Sequence, residues 1–263
     1  MPEERELEKK RAELTTLEAE LAERELELAT LQATLHAFED RYLRQVGALY
    51  AELDEVNAQI AEANARLHQH DQQAQQAADK ARAQANESAQ HTAAVQQESP
   101  KGKFQPSDEL KKIYREIARQ LHPDLARDPQ DRERRHHLMV EVNRAYESGD
   151  LERLRAIQLQ WQRSPAAIKD ESVGAELVRI IRQIAQIEER IAAIETEIEE
   201  LIESDLHQLF VRAEEAEDEG RDLLQEMASG IRERIAETKI GGFDVLARLI
   251  FQYEKSGNRN WRA

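Results

Sequence analysis

Ile180-Ile-Arg-Gln-Ile-Ala-Gln-Ile-Glu-Glu-Arg-Ile-Ala-Ala-Ile-Glu-Thr-Glu-Ile198 is the stretch on which the fold turns. Isoleucine recurs at 180, 184, 187, 191, 194 and 198 in alternating steps of four and three, which draws one apolar stripe along an α-helix. The intervening Arg, Gln and Glu suit a solvated flank, and the pattern predicts a coiled-coil seam. It extends back through Leu177 to Val173 and forward to Leu201, then less regularly through Leu206, Leu209, Ala213, Ala216, Leu223, Met227 and Ile231 to Ile235. A stripe of this kind cannot be buried by its own helix, so it requires a partner.

The partner is predicted at the other end of the chain. Leu7, Leu14, Leu17, Leu21, Leu28, Leu31, Leu35, Phe38 and Tyr42 repeat the same spacing, which continues from Val46 and Leu49 to Leu67. Two successive steps of four between Phe38 and Val46 make a stutter, which locally unwinds a supercoil without ending it. The two seams have similar reach, each ~90 Å at 1.5 Å per residue. Matched reach predicts an antiparallel hairpin within one chain. Isoleucine at both seam positions also suits a parallel assembly of several chains, so homo-oligomerisation stays open.

Composition agrees with long helices. The 263 residues are 34% charged and 5% aromatic, with 9 Gly and 6 Pro, and the mean hydropathy is −0.77. There is no Cys, which rules out disulfides and thiolate metal sites. No stretch approaches the ~18 apolar residues of a membrane span, and the acidic start, Met1-Pro-Glu-Glu-Arg-Glu6, does not read as a signal peptide. A cytoplasmic protein without membrane association is expected.

Between the arms the pattern breaks. Residues 1–67 read as the N-terminal arm and 68–103 as a Gln/Ala-rich linker, helical or partly disordered, with no stripe to pack. A compact module follows over 104–163, then the second arm over 164–240 and a short amphipathic helix with a polar tail over 241–263. Glu98-Ser-Pro-Lys-Gly-Lys103 and Arg163-Ser-Pro-Ala166 mark the module's edges, and Gly241-Gly242 is expected to stop the second arm. Phe243, Leu246, Leu249, Ile250 and Tyr253 supply the last helix's apolar face.

The module carries the charge asymmetry. Residues 101–163 hold 14 basic and 11 acidic residues, a net of +3, against −16 for the whole chain, so the remainder carries −19. So acidic a protein is a poor match for phosphate backbones, and no nucleic-acid partner is expected. A basic face aimed at an acidic protein surface fits better.

Within it, Ser107-Asp-Glu-Leu110 predicts a helix start, with Ser107 as N-cap and two carboxylates in the first turn. Leu110, Ile113, Ile117 and Leu121 then lie on one face, with Lys112, Arg115 and Arg119 nearly opposite and Lys111 beside them. Pro123 ends the helix and forces His122 out of helical geometry, leaving Asp124 at the tip of a turn. A second helix from about Asp131 to Glu147 offers Leu138, Val142, Ala145 and Tyr146 to the first, and Gly149 is a fitting stop. Leu151, Leu154, Ile157, Leu159 and Trp161 predict a final short helix packed back on the pair.

His122-Pro-Asp124 after a basic amphipathic helix, followed by Asn143-Arg-Ala-Tyr146 on the returning helix, resembles the J-domain family over about residues 104–150. The resemblance implies an all-α protein with a J-domain-like helical hairpin between two long coiled-coil helices. It implies a co-chaperone with no active site or cofactor of its own, which docks on a DnaK-type heat-shock chaperone and stimulates its ATP hydrolysis. The positions that would make contact are His122, Pro123, Asp124, Lys111, Lys112, Arg115 and Arg119, with Tyr114 beside them. The arms would set oligomeric state, location or client. Where the family opens with a short helix, this chain has Ser99-Pro-Lys-Gly-Lys-Phe-Gln-Pro106, and Phe104 is the residue able to fill that space. The competing expectation is a structural coiled-coil scaffold whose J-like insert is inactive.

Other chemistry finds no footing. A Gly-rich phosphate loop is absent. His136 and His137, adjacent on a helix, splay about 100° apart, which is wrong for one metal ion. The arm carboxylates read as helix surface, because paired carboxylates need a cleft to act as acid and base.

Overall fold

A computed structural model describes residues 2–68, 70–97, 102–126, 128–162 and 173–257, and its regular structure is all helical, with no strand among the described residues. Helix α1 spans Pro2–Tyr42 and passes through a π-turn, Leu43–Gly47, into α2, Ala48–Leu67; α3 is Gln72–Gln97. Then come α4 (Asp108–Leu121), a 3-10 turn (Pro123–Leu125), α5 (Pro129–Glu147) and α6 (Leu151–Gln162). The last three are α7 (Val173–Glu203), α8 (Asp205–Asp218) and α9 (Leu223–Gly257). No helix among the described residues is long and apolar enough to cross a membrane. The chain divides into two compact units, residues 1–36 with 103–208, and residues 37–102 with 209–263.

In the first unit α1 and α7 zip together within the chain. Leu7 packs with Ile180 and Ile184, and further along Leu21 and Leu28 pack with Ile187, Ile191, Ile194 and Ile198. Direction is set by the flanking ion pairs: Arg11 meets Glu176 at 2.6 Å, and Arg24 meets Glu195 at 3.2 Å. Residue numbers rise together on both helices, so the pair is parallel, and the expected antiparallel hairpin is corrected. Matched seam lengths hold no information about direction, because a heptad stripe presents the same apolar face to a partner running either way.

The module lies on a second stripe of α1 that the heptad reading passed over. Ala22, Leu26 and Ala29 join Leu110, Tyr114, Ile117, Ala118 and Leu121 of α4, with Met139, Val142, Ala145 and Tyr146 of α5 and Leu154 and Ile157 of α6, in one core. Ser107 caps α4 as expected, its hydroxyl accepting from the Leu110 amide at 3.2 Å. Asp128 caps α5 through the Asp131 amide at 2.8 Å, and Pro129 follows it, so α5 begins two residues before its predicted start. Gly149 closes α5 at φ +70°, with the Asp150 amide donating to the Ala145 carbonyl. Phe104 packs against this core edge-on to Tyr146, ring centres 5.5 Å apart. Leu159, expected in the core, is exposed, while Trp161 of α6 packs against the guanidinium groups of Arg134 and Arg135 of α5 at 5.0 and 4.8 Å.

The second unit is built on α2. Helix α3 runs antiparallel to it: Arg82 of α3 bridges Glu62 and Glu55 at 2.6 Å each, and Ser88 donates to Asp54. The segment read as lacking a stripe therefore packs after all, through Ala74, Ala78 and Ala85. Apolar side chains are too small there to register as a heptad, yet their size lets the two backbones approach closely. The predicted stutter is resolved by the π-turn, whose extra residue resets the phase so that Val46 is buried. Gly47 lies against Thr92 of α3, where an added Cβ would come within 3.3 Å of its methyl group.

The second arm is not continuous. It breaks at Ser204, whose hydroxyl accepts from the His207 amide to start α8, and again at Gly220, at φ +78°. Gly241-Gly242, by contrast, does not stop α9, which continues to Gly257. Gly242 is where Ile60 of α2 meets the helix: a Cβ there would land on Cδ1 of Ile60 and 2.8 Å from its Cγ1, while Gly241 faces open space. Gly241→Ala should therefore stabilise the protein by about 0.5–1 kcal/mol. Gly242→Ala should destabilise it, since overpacking costs about 1–3 kcal/mol against that same gain. Thermal unfolding of the two variants measures the contrast, and shifts of the same sign would contradict it. The Glu98–Lys101 and Arg163–Ala166 boundaries, the polar tail over 258–263 and the side chains of Phe243, Leu246, Leu249, Ile250 and Tyr253 lie outside the described residues.

Candidate functional site

The His122-Pro123-Asp124 corner forms because α4 runs into a proline. His122 leaves the helix at φ −55°, ψ 135°, and its backbone carbonyl accepts from the Leu125 amide at 3.1 Å. Its Nδ1 accepts from the Asp124 amide at 3.2 Å. That acceptor role places the ring proton of the neutral imidazole on Nε2, which donates to Glu25 Oε1 of α1 at 2.9 Å. From the other side Arg135 donates to the Gln120 carbonyl at 2.8 Å. The turn is pinned through its backbone and through the histidine ring.

Glu25 also accepts from Arg190 Nε of α7 at 3.0 Å, and Arg190 reaches Glu197 at 2.6 Å. Burial alone would push the Glu25 carboxyl upward, but the His122 hydrogen bond and the Arg190 charge outweigh it and hold the group below the usual carboxylate range. At 100° per residue Glu25 falls between the two apolar stripes of α1, one carrying Leu21 and Leu28 and the other Ala22 and Leu26. Leu125 inserts its side chain into the α1–α7 seam cluster, and Gln183 donates to the Leu125 carbonyl at 3.3 Å. Among the described residues, the buried polar side chains are Glu25, His122, Gln183 and Thr92. The first three converge on this one turn.

The positions singled out from sequence divide into two groups. Lys112 and Arg119 are exposed on the outer face of α4, with Lys111 and Arg115 half-buried beside them and Arg115 3.4 Å from Glu23 of α1. Tyr114 is not a surface residue. It is fully buried against Tyr146, ring centres 4.7 Å apart, and its hydroxyl donates to Asn143 Oδ1 at 2.9 Å. Burial pushes its phenol well above the ordinary value. The correction follows from packing: α1 covers a flank of α4 that a lone helical hairpin would leave open, so the buried arc widens to take in Tyr114.

Asp124 also departs from the exposed tip read from sequence. Its side chain is 11% accessible, and Oδ1 accepts from Arg132 at 3.0 Å, while Pro123 is half-buried. A groove of about 630 Å³ runs past it, lined by His122, Pro123, Asp124, Arg132, His136 and Asn143 among others. No group of three His, Cys, Asp or Glu side chains is arranged to hold a metal ion among the described residues. Sequence reasoning missed Glu25, Arg190, Gln183 and Arg132. A signal existed for the first, since the α1 seam jumps seven residues from Leu21 to Leu28 with only Arg24 and Glu25 where a leucine belongs. No protein-family model, curated protein or solved structure matches this chain.

Proposed function

We propose that this chain is a co-chaperone of the J-domain kind, acting in the cytoplasm without an active site of its own. It docks on a DnaK-type heat-shock chaperone through the His122-Pro123-Asp124 turn and the outer face of α4, and stimulates ATP hydrolysis by that partner. The observation that carries the reading is a pre-formed turn of this sequence at the end of a basic helix. Pro123 and the His122 side-chain cap restrict its conformations, so little ordering is left for binding. Lys112 and Arg119, exposed on α4, steer the module toward an acidic surface, and Asp124 then exchanges Arg132 for a cation of the partner. The J-like hairpin is α4 with α5, and the arms are α1 with α7.

A second reading is favoured by the enclosure of His122 and Asp124: a scaffold in which the J-like insert is purely structural. Steady-state ATP hydrolysis by a DnaK-type chaperone separates the two. The co-chaperone reading expects stimulation on the order of 10-fold, abolished in His122→Gln and in Asp124→Asn. Equal rates with and without the protein would favour the scaffold.

A further inference from the structure

We propose that Glu25 of α1, with Arg190 of α7, is an inhibitory clamp that holds the His122-Pro123-Asp124 turn closed until the α1–α7 pair is loosened. This inference rests on the co-chaperone reading and names the regulation of that same site.

The case starts from what an apolar seam would require at this point. Leu21, Leu28, Ile187, Ile191 and Ile194 make the α1–α7 contact without any buried ion. A buried carboxylate held by a guanidinium and an imidazole N–H adds little net stability over an apolar replacement, but it fixes which groups must meet. Here the group met is the imidazole of the docking turn, and Glu25 accepts from both His122 and Arg190 at 2.9 and 3.0 Å. Two further links bind the turn to α7, the Gln183 side chain on the Leu125 carbonyl and the Leu125 side chain in the seam. The buried polar side chains of this interface are thus spent on the one segment that docking must expose, while the other polar side-chain pairs between α1 and the module, Thr30 with Tyr146, His36 with Glu147 and Glu23 with Arg115, lie nearer the surface.

The same links define how the clamp opens. His122 belongs to the closed state only while Glu25 is present to accept from Nε2, since a buried imidazole N–H without an acceptor is driven toward water. Whatever draws α7 from α1 removes Arg190, Gln183 and the α7 side of the Leu125 socket together, leaving, of these links, the Glu25–His122 hydrogen bond alone to hold the turn. A partner that binds the arms would therefore switch the module on.

The test uses the full chain and Glu25→Ala, which leaves Arg190 still paired with Glu197 and so creates no orphaned charge. Two quantities are read on wild type and variant: amide exchange at Asp124, Leu125 and Ala126, and stimulation of a DnaK-type chaperone's ATP hydrolysis. Amides near the end of α5, around Tyr146, serve as the internal reference for the module core. Glu25→Leu, which removes the acceptor and keeps a strong helix former, carries the measurement if Glu25→Ala loses helicity. The clamp predicts turn amides exchanging at least about tenfold faster with the reference unchanged, and ATPase stimulation raised on the order of tenfold over wild type. Unchanged exchange at the turn overturns the clamp whatever the ATPase does. Faster exchange with equal stimulation by wild type and variant overturns the inhibitory role and leaves the docking reading standing. Faster exchange with no stimulation by either overturns the docking reading, and the inhibition with it.

Discussion

Tyr114→Ala is expected to destabilise the first unit by about 3–5 kcal/mol in urea unfolding, as removal of a fully buried aromatic side chain does. The ring has no exposed surface, stacks obliquely on Tyr146 and sits among Leu110, Ile117 and Ala118 beneath α1. Tyr114→Phe isolates the hydroxyl. It loses the hydrogen bond to Asn143, an exposed side chain that water can satisfy, so its cost should be about 0.5–1.5 kcal/mol. The contrast decides between two roles for this residue. A partner-facing tyrosine, as the J-domain resemblance implied, would tolerate alanine with less than about 1 kcal/mol of loss. A result of that size would contradict the packing described for α4.

Arg190→Ala should be nearly as damaging, by about 2–4 kcal/mol near neutral pH, because it leaves a buried carboxylate with His122 as its remaining partner. The loss should carry a pH signature. Glu25 is held below the ordinary carboxylate value in the folded protein, so its contribution is complete above the unfolded value of about 4.3 and disappears as pH falls through the folded value. Wild type and Arg190→Ala should accordingly differ most near pH 7 and converge as pH falls through the folded Glu25 value, which lies below the unfolded one. Glu25→Leu with Arg190→Leu should recover the part of the loss that comes from the unpaired carboxylate, leaving the cost of a His122 Nε2–H without its acceptor. Urea midpoints measured between pH 3 and 7 provide the check, and a constant difference across that range would remove Glu25 as the cause.

Much of the local structure is legible along the chain. The all-α class follows from the isoleucine ladder of α7, the start of α4 from Ser107 and the end of α5 from Gly149. Each is a local matter, in which a few neighbouring residues choose among the conformations open to their own backbone. The glycine pair at 241–242 misled for a reason that is not local. A glycine is tolerated inside a helix when another chain segment needs the space its side chain would fill, and Ile60 takes that space. The packing of α3 escaped notice similarly, because alanines bury little area apiece and report themselves only once α2 is laid against them.

Taken alone, the order of residues determined where helices form, which faces are apolar, and that a proline-bent corner follows a cation-studded helix. Tertiary structure alone decided that α1 and α7 run the same way, that a second stripe of α1 receives the module, and that Glu25 reaches His122. The physical reason is that periodicity encodes a direction around a helix axis, whereas partner, polarity and depth depend on contacts between residues such as Glu25 and Arg190, 165 positions apart. A lone carboxylate in a leucine stripe reads as a flaw in the repeat until the imidazole N–H and the guanidinium that donate to it are brought alongside.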